Sequence, residues 1–171
     1  TIFSSNIARI HSIAKAAKDC NRHVSVIGRS LHRMIGAAKK CGYLSDVEFV
    51  SEEEIGFLPD DKCVIIVTGS QGEYRAALAR IARGDHRSIR LKPRDTVIFS
   101  ARAIPGNERE INTVKNNLSA NNINIITPKD TANIIHVSGH PYQDEITQMY
   151  QWVGPKTVIP VHGEHRHMKE Q

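Results

Sequence analysis

The residues best equipped for chemistry fall in six short turns: Ser4-Ser5-Asn6, Gly28-Arg29-Ser30, Thr68-Gly69-Ser70-Gln71-Gly72, Ser100-Ala101-Arg102, Ser138-Gly139-His140 and His162-Gly163-Glu164. Each combines hydroxyls, glycines, guanidiniums or imidazoles, groups that donate hydrogen bonds to phosphate oxygens. Any one of them also suits a helix start, because Ser, Asn and Gly satisfy the N–H groups of a first turn. Their repetition favours an anion-facing edge, with Arg29, Ser70, Gln71 and Ser100 as candidate phosphate ligands. The Gly69 to Gly72 stretch lacks the G-x-G-x-x-G spacing, and no phosphate loop ending in Gly-Lys-Ser/Thr occurs, so no motif supports a nucleotide cofactor. Histidine adds acid–base or metal chemistry. His136, His140 and His162 lie at the ends of the last two apolar runs, and three imidazoles on one edge suit such a role better than one alone. His162, His165 and His167 also cluster loosely, but a stable metal site needs three or four ligands in fixed geometry, and this grouping is not read as one.

An edge of this kind requires strands that end together. The runs His23 to Gly28, Cys63 to Thr68, Thr96 to Ser100, Asn122 to Thr127, Ile134 to Val137 and Thr157 to Val161 are apolar at nearly every residue, the pattern of strands covered on both faces. Between them, Asn6 to Cys20 and Ser30 to Lys40 carry apolar stripes at helical spacing, and Gly72 to Arg83, Asn107 to Ala120 and Pro141 to Val153 complete the set. The pattern predicts an α/β fold, an open parallel doubly wound sheet whose ligands bind beyond the carboxyl ends of its strands. The acidic stretch from Ser45 to Lys62 is expected to be a short surface helix and loop, without chemistry.

The chain has 171 residues, 40% hydrophobic and 24% charged, enough for a core of one-domain size. Aromatic residues make up 5%, which argues against a single-strand binder built on stacked rings, so nucleic-acid contact should go through charge and backbone. A net charge of +5 draws polyanions without identifying one. Arg80, Arg83, Arg87, Arg90, Lys92, Arg94 and Arg102 crowd one segment opposed locally by Asp85 and Asp95; a phosphate-facing and a plainly solvated surface both fit this. Cys20, Cys41 and Cys63 are odd in number with no Cys-x-x-Cys spacing, which fits a reduced cytoplasmic setting. The longest apolar run, Cys63 to Val67, is far short of the roughly 20 residues that cross a bilayer, and no signal peptide is evident. The chain opens at Thr1 as if at a strand end and stops at Gln171 in a helix-like stretch, so both ends are expected to be cut.

In order along the chain, "SSN" (Ser4 to Asn6), "VIGRS" (Val26 to Ser30), "VTGSQGE" (Val67 to Glu73), "ARGDH" (Ala82 to His86), "DTVIFSARAIPGNE" (Asp95 to Glu108), "HVSGH" (His136 to His140) and "IPVHGE" (Ile159 to Glu164) resemble ribonuclease J, of the β-CASP family in the metallo-β-lactamase superfamily. The resemblance implies a β-CASP domain over residues 1–137 and an incomplete return into the metallo-β-lactamase domain over 138–171. It implies endonuclease and 5′ to 3′ exonuclease cleavage of single-stranded RNA that prefers a 5′ monophosphate. Two zinc ions would activate water in the full-length enzyme. By this resemblance His140 is a candidate general acid, His162 a zinc ligand in the full-length protein, and His136, Ser138 and Gly139 parts of a phosphate pocket. The family's H-x-H-x-D-H cluster and its other ligands precede the β-CASP insertion and are absent here, so this piece is expected to be inactive and without zinc at the native site. A cytoplasmic homo-oligomer is expected of the full-length protein, with no membrane partner. The returning strand, Thr157 to Val161, lacks its usual neighbours, so its apolar residues should be exposed or covered by a partner. A reading from another class, a noncatalytic α/β nucleotide-binding module, uses the same glycine and serine turns.

Overall fold

Ile10, Ala14 and Ala17 recur at helical spacing and form the buried stripe of α1 (Ile7–Asp19), whose first turn is fixed by the Asn6 side chain accepting from the Arg9 backbone N–H at 3.0 Å. The computed structural model describes residues 1–161 and 163–170. After α1 come β1 (His23–Ile27), α2 (Arg29–Lys40), α3 (Glu52–Ile55), a single 3₁₀ turn at Asp60–Lys62, β2 (Cys63–Val67), α4 (Ala77–Ala82), β3 (Thr96–Ile98), α5 (Glu108–Ala120), β4 (Asn124–Ile126), α6 (Gln143–Val153) and α7 (His165–Glu170). Two compact units result, Thr1–Val137 and Ser138–Gln171.

In the first unit all ladders are parallel, as unbroken apolar runs require. β1 pairs with β2 from His23 opposite Cys63 to Ile27 opposite Val67, and β3 pairs with β4 from Thr96 opposite Asn124 to Ile98 opposite Ile126. The expected open sheet therefore appears as two parallel pairs. The first two residues join them. Ile2 N–H and the Thr1 hydroxyl donate to the Val67 carbonyl at 3.3 and 3.0 Å, the Thr1 amine donates to the Ile98 carbonyl at 2.6 Å, and Ser100 N–H donates to the Thr1 carbonyl at 3.0 Å. A cavity of about 1140 Å³ is walled by both pairs, through Ile65, Ile66, Thr96 and Val97, and by Arg9, Ser100 and His136.

Helices cover both faces of the β1–β2 pair. Val24, Val26 and Ile66 pack with Ile10, Ala14, Leu31 and Ile35 of α1 and α2, whereas Ile27 and Val67 pack with Leu78, Ile81, Val97, Ile111 and Leu118 on the other side. Successive strand residues thus enter opposite cores, the period of two expected of a pleated strand. Each fully buried leucine, such as Leu31 or Leu118, contributes about 1.5–3 kcal/mol of transfer free energy.

The expected helix over 72–83 begins only at Ala77. Gly69 and Gly72 adopt φ of 109° and 77°, so the chain turns twice before a helix can start. Gly72 has a second reason to be glycine: a Cβ there would lie 2.3 Å from the Glu110 carbonyl carbon and 2.5 Å from the Ile111 nitrogen, inside α5.

Two expected strands do not form. Ile134 to Val137 and Thr157 to Val161 have no ladder, and Ile134 and Ile159 are 85% and 79% exposed. β-branched runs become strands only beside a neighbouring strand that takes their backbone hydrogen bonds in a ladder, and among the described residues no strand lies beside these runs. In the second unit, α6 is capped by the Glu145 carboxylate accepting from Tyr142 N–H at 2.7 Å and ends at Gly154, yet it buries none of its residues. Trp152, Val153, Ile159 and Val161 are all exposed. Among the described residues no helix is long and apolar enough to cross a membrane.

Candidate functional site

Capping by Asn6 sets Arg9 in the first turn of α1, beside the carboxyl ends of the strands. Its Nη1 donates to the Ser100 carbonyl at 3.1 Å and the Ser100 hydroxyl at 2.9 Å, and lies 2.6 Å from His136 Nδ1; its Nη2 donates to the Val137 carbonyl at 3.3 Å. The Ser100 hydroxyl in turn donates to the Ile135 carbonyl at 2.5 Å. Segment 135–137 is therefore held at the strand ends by side chains, in place of a ladder. Burial, and then the charges of Arg9 and Arg102, push the His136 imidazole below its ordinary proton affinity. Burial also lowers the proton affinity of Arg9, which nevertheless remains a cation.

Arg9 was not among the candidates read from the sequence. The signal that could have found it is its place three residues after Asn6, in the turn that a strand-end Ser-Ser-Asn motif opens into.

The other candidates take different places. Ser70 and Gln71 are buried. The Gln71 Oε1 accepts from Ile104 N–H at 2.8 Å and Asn107 Nδ2 at 3.4 Å, while its Nε2 donates to the Arg102 carbonyl at 3.0 Å and the Ser70 hydroxyl at 3.4 Å. The Gln71 amide is thus committed to the 102–107 loop, and it shapes that loop from behind. Ser100 is likewise buried, its hydroxyl shared between Arg9 and Ile135. Arg29 opens α2 and is exposed; it follows Gly28, whose φ of 128° and close approach to the Thr68 side chain leave no room for a Cβ. Ser138, Gly139 and His140 belong to the second unit and are exposed, with His140 N–H donating to the Ser138 hydroxyl at 3.1 Å. His162 lies outside the described residues.

The basic segment is more heavily paired than its local acids suggested. Arg83 reaches Asp85 at 3.0 Å and covers the Tyr74 ring, Arg87 reaches Glu52 at 3.5 Å and Glu53 at 3.8 Å, and Lys92 reaches Asp60 at 2.5 Å. The acidic stretch without assigned chemistry is thus the counterion of Arg87 and Lys92, while the local Asp85 serves Arg80 and Arg83. Arg102 differs, since its charge is felt at His136. Among the described residues no three of His, Cys, Asp or Glu converge to hold a metal ion, so those residues do not by themselves form a zinc site.

The fold and this cluster define a class: a parallel α/β domain that gathers hydroxyl, imidazole and guanidinium groups at the carboxyl ends of its strands, the edge at which open α/β sheets in general bind ligands. Residues 1–118 match the family described as "Ribonuclease J, beta-CASP domain", and residues 129–171 match "Zn-dependent metallo-hydrolase RNA specificity domain". Similar curated proteins include ribonuclease J of Sinorhizobium meliloti, 49% identical over 169 residues, and ribonuclease J of Mycolicibacterium smegmatis, 42% identical over 171; each alignment covers 98% of this chain and 30% of the relative. Ribonuclease J of Helicobacter pylori strain J99 is 41% identical over 168 residues, covering 97% of this chain and 24% of the relative. The chain belongs to the ribonuclease J family, and it spans less than a third of the length of these relatives.

Proposed function

We propose that this chain is the RNA-holding part of a metal-dependent ribonuclease that processes and degrades RNA by endonuclease and 5′ to 3′ exonuclease cleavage. The observation that carries the proposal is the Arg9–Ser100–His136 cluster at the strand ends. Its positive field, from Arg9 and Arg102, suits a phosphate. In this reading residues 1–137 are the β-CASP domain and 138–171 the return into a metallo-β-lactamase domain. His136 binds the 5′ monophosphate of single-stranded RNA; Ser138 and Gly139 carry a phosphate-binding assignment from the family resemblance alone. Arg29 adds charge from an exposed position, while Ser70, Gln71 and Ser100 hold the loops in place from behind.

His140 is assigned as the general acid that protonates the leaving oxygen. His162 is assigned as a ligand to one of two zinc ions, whose other ligands would come from outside this chain; the described residues do not complete that site. The chain alone is accordingly inactive. Residence in the cytoplasm and assembly of the full-length protein into a homo-oligomer belong to the same reading.

Binding of a short oligoribonucleotide carrying a 5′ phosphate, compared with its 5′-hydroxyl twin, tests the proposal. The phosphorylated form should bind roughly tenfold or more tightly, the equivalent of one charge-assisted hydrogen bond, and His136→Ala should erase the difference. Equal affinity for both forms, or a mononucleotide that competes at lower concentration than the oligomer, would instead favour a noncatalytic nucleotide-binding module. Metal-dependent cleavage by this chain that disappears in His140→Ala would overturn the assignment of inactivity.

A further inference from the structure

We propose that Arg9 is a positioning residue that holds His136 as an Nε2–H hydrogen-bond donor for an RNA phosphate. The proposal rests on the phosphate reading above and adds the group that sets the polarity of its histidine.

The geometry is specific. A guanidinium has N–H donors and no acceptor. Its Nη1 lies 2.6 Å from His136 Nδ1, so Nδ1 must present its lone pair. In a neutral imidazole the proton then resides on Nε2, and that nitrogen becomes the one available donor. The same Nη1 also faces the Ser100 carbonyl and hydroxyl, so its two hydrogens serve three acceptors and one bond is shared. The Ser100 hydroxyl gives its own hydrogen to the Ile135 carbonyl, which leaves its oxygen free to accept from Arg9. The hydrogen-bond polarities of Arg9 and the Ser100 hydroxyl agree with this, while the Ser100 carbonyl, also within reach of the ring, favours its protonated form. Arg9 also fixes the backbone on the far side of the histidine through the Val137 carbonyl, so it restrains both the ring and the segment that carries it. Burial and the nearby guanidiniums shift the ring toward its neutral form, the state in which the choice between its two nitrogens matters.

The rival arrangement places the proton on Nδ1 and directs it to the Ser100 carbonyl. That sets an imidazole N–H against the guanidinium N–H at Arg9, and it leaves Nε2 as an acceptor that repels a phosphate oxygen. The two arrangements therefore predict opposite behaviour toward the ligand.

Side-chain ¹⁵N shifts of the labelled 171-residue chain distinguish them, with the His136 signals identified by their loss in His136→Gln. The expected wild-type result is the Nε2–H tautomer. Arg9→Met, similar in length but without donors, should give a mixture of tautomers, and Arg9→Lys, which keeps a donor, should restore Nε2–H. The preference for a 5′-phosphorylated over a 5′-hydroxyl oligoribonucleotide should fall about tenfold in Arg9→Met and recover in Arg9→Lys. A wild-type Nδ1–H tautomer overturns the proposal. So does an unchanged Nε2–H tautomer in Arg9→Met. If Arg9→Met does not fold by circular dichroism, the wild-type tautomer and its retention in Arg9→Lys decide the matter. A wild-type Nε2–H tautomer with no preference for 5′ phosphate leaves Arg9 as a tautomer clamp but overturns its phosphate role, and it marks the failure as that of the functional reading.

Discussion

Two histidines of the first unit are shifted toward their neutral form by their surroundings. His86 is buried and its Nδ1 accepts from Ser88 N–H at 3.4 Å and Ile89 N–H at 3.3 Å. Burial lowers its proton affinity, and the carboxylate of Glu52, 3.9 Å away, offsets this only in part. His136 is shifted in the same direction. For both, the folded pKa lies below the ordinary value of 6.5, so at pH between the folded and ordinary values the unfolded chain binds more protons. Their contribution to stability is therefore complete above the unfolded pKa and is lost as pH falls through the folded one. Urea midpoints measured from pH 8 to pH 5 should decline on the acidic side, and His86→Gln should flatten that decline; a midpoint that rises on acidification would contradict the assignment. At this scale the strand-end hydroxyls, glycines and histidines were legible in the sequence as types. Which of them face a ligand was not, because the long-range bonds of Gln71 to Ile104 and of Ser100 to Ile135 turn candidate ligands into supports. Arg9 was hidden for a similar reason, since a lone arginine on an amphipathic helix gives no sign of a histidine 127 positions away.

Among the elements, α5 illustrates what periodicity can settle. Ile111, Val114 and Leu118 recur at spacings of three and four, and all three are buried in the core that also holds Leu78 and Val97. Leu118→Ala should destabilise the first unit by about 2–5 kcal/mol, whereas Asn116→Ala, on the exposed face of the same helix, should change stability by less than about 0.5 kcal/mol. Chemical denaturation checks both, and equal effects would mean that the helix packs on a different face. The helices α1, α2 and α5, together with β1 and β2, were readable because a stripe or an apolar run is a local signature of burial. Segments 134–137 and 157–161 carry the same β-branched composition without becoming strands. Composition records what a strand would prefer, while a ladder depends on a neighbour elsewhere in the chain.

For the whole molecule, the two units differ in how they meet water. Thr1–Val137 contains both hydrophobic clusters, while α6 and α7 of the second unit bury no residue. Trp152, the chain's one tryptophan, is 76% exposed and therefore a natural reporter for that unit. Surrounding exposed residues such as Val153 and Ile159 make an adhesive surface. At low protein concentration Trp152 should emit as a solvated indole and be fully open to acrylamide. Its emission should shift to the blue as concentration rises and copies associate; a buried-type spectrum at every concentration would contradict this picture. The exposure of Ile159 and Val161 matches a run that was expected to have no strand beside it; it was foreseeable. The division of the expected sheet into two pairs bridged by Thr1 and Ile2 was not, since nothing local in the sequence marks which strands lie side by side.

The bare Cα of Gly72 seated against the α5 backbone has a further consequence. With Gln71 reaching across to Ile104 and Asn107, the turn after β2 and the loop after β3 are aligned by steric fit and neutral hydrogen bonds, with no ion pair between them to be screened. If the proposed function holds, contacts between a polyanion and Arg9, Arg29 or Arg102 weaken steeply as ionic strength rises. Added salt should therefore detach the ligand from a platform that keeps its shape, so a salt titration of binding measures charge neutralisation rather than loosening of the protein.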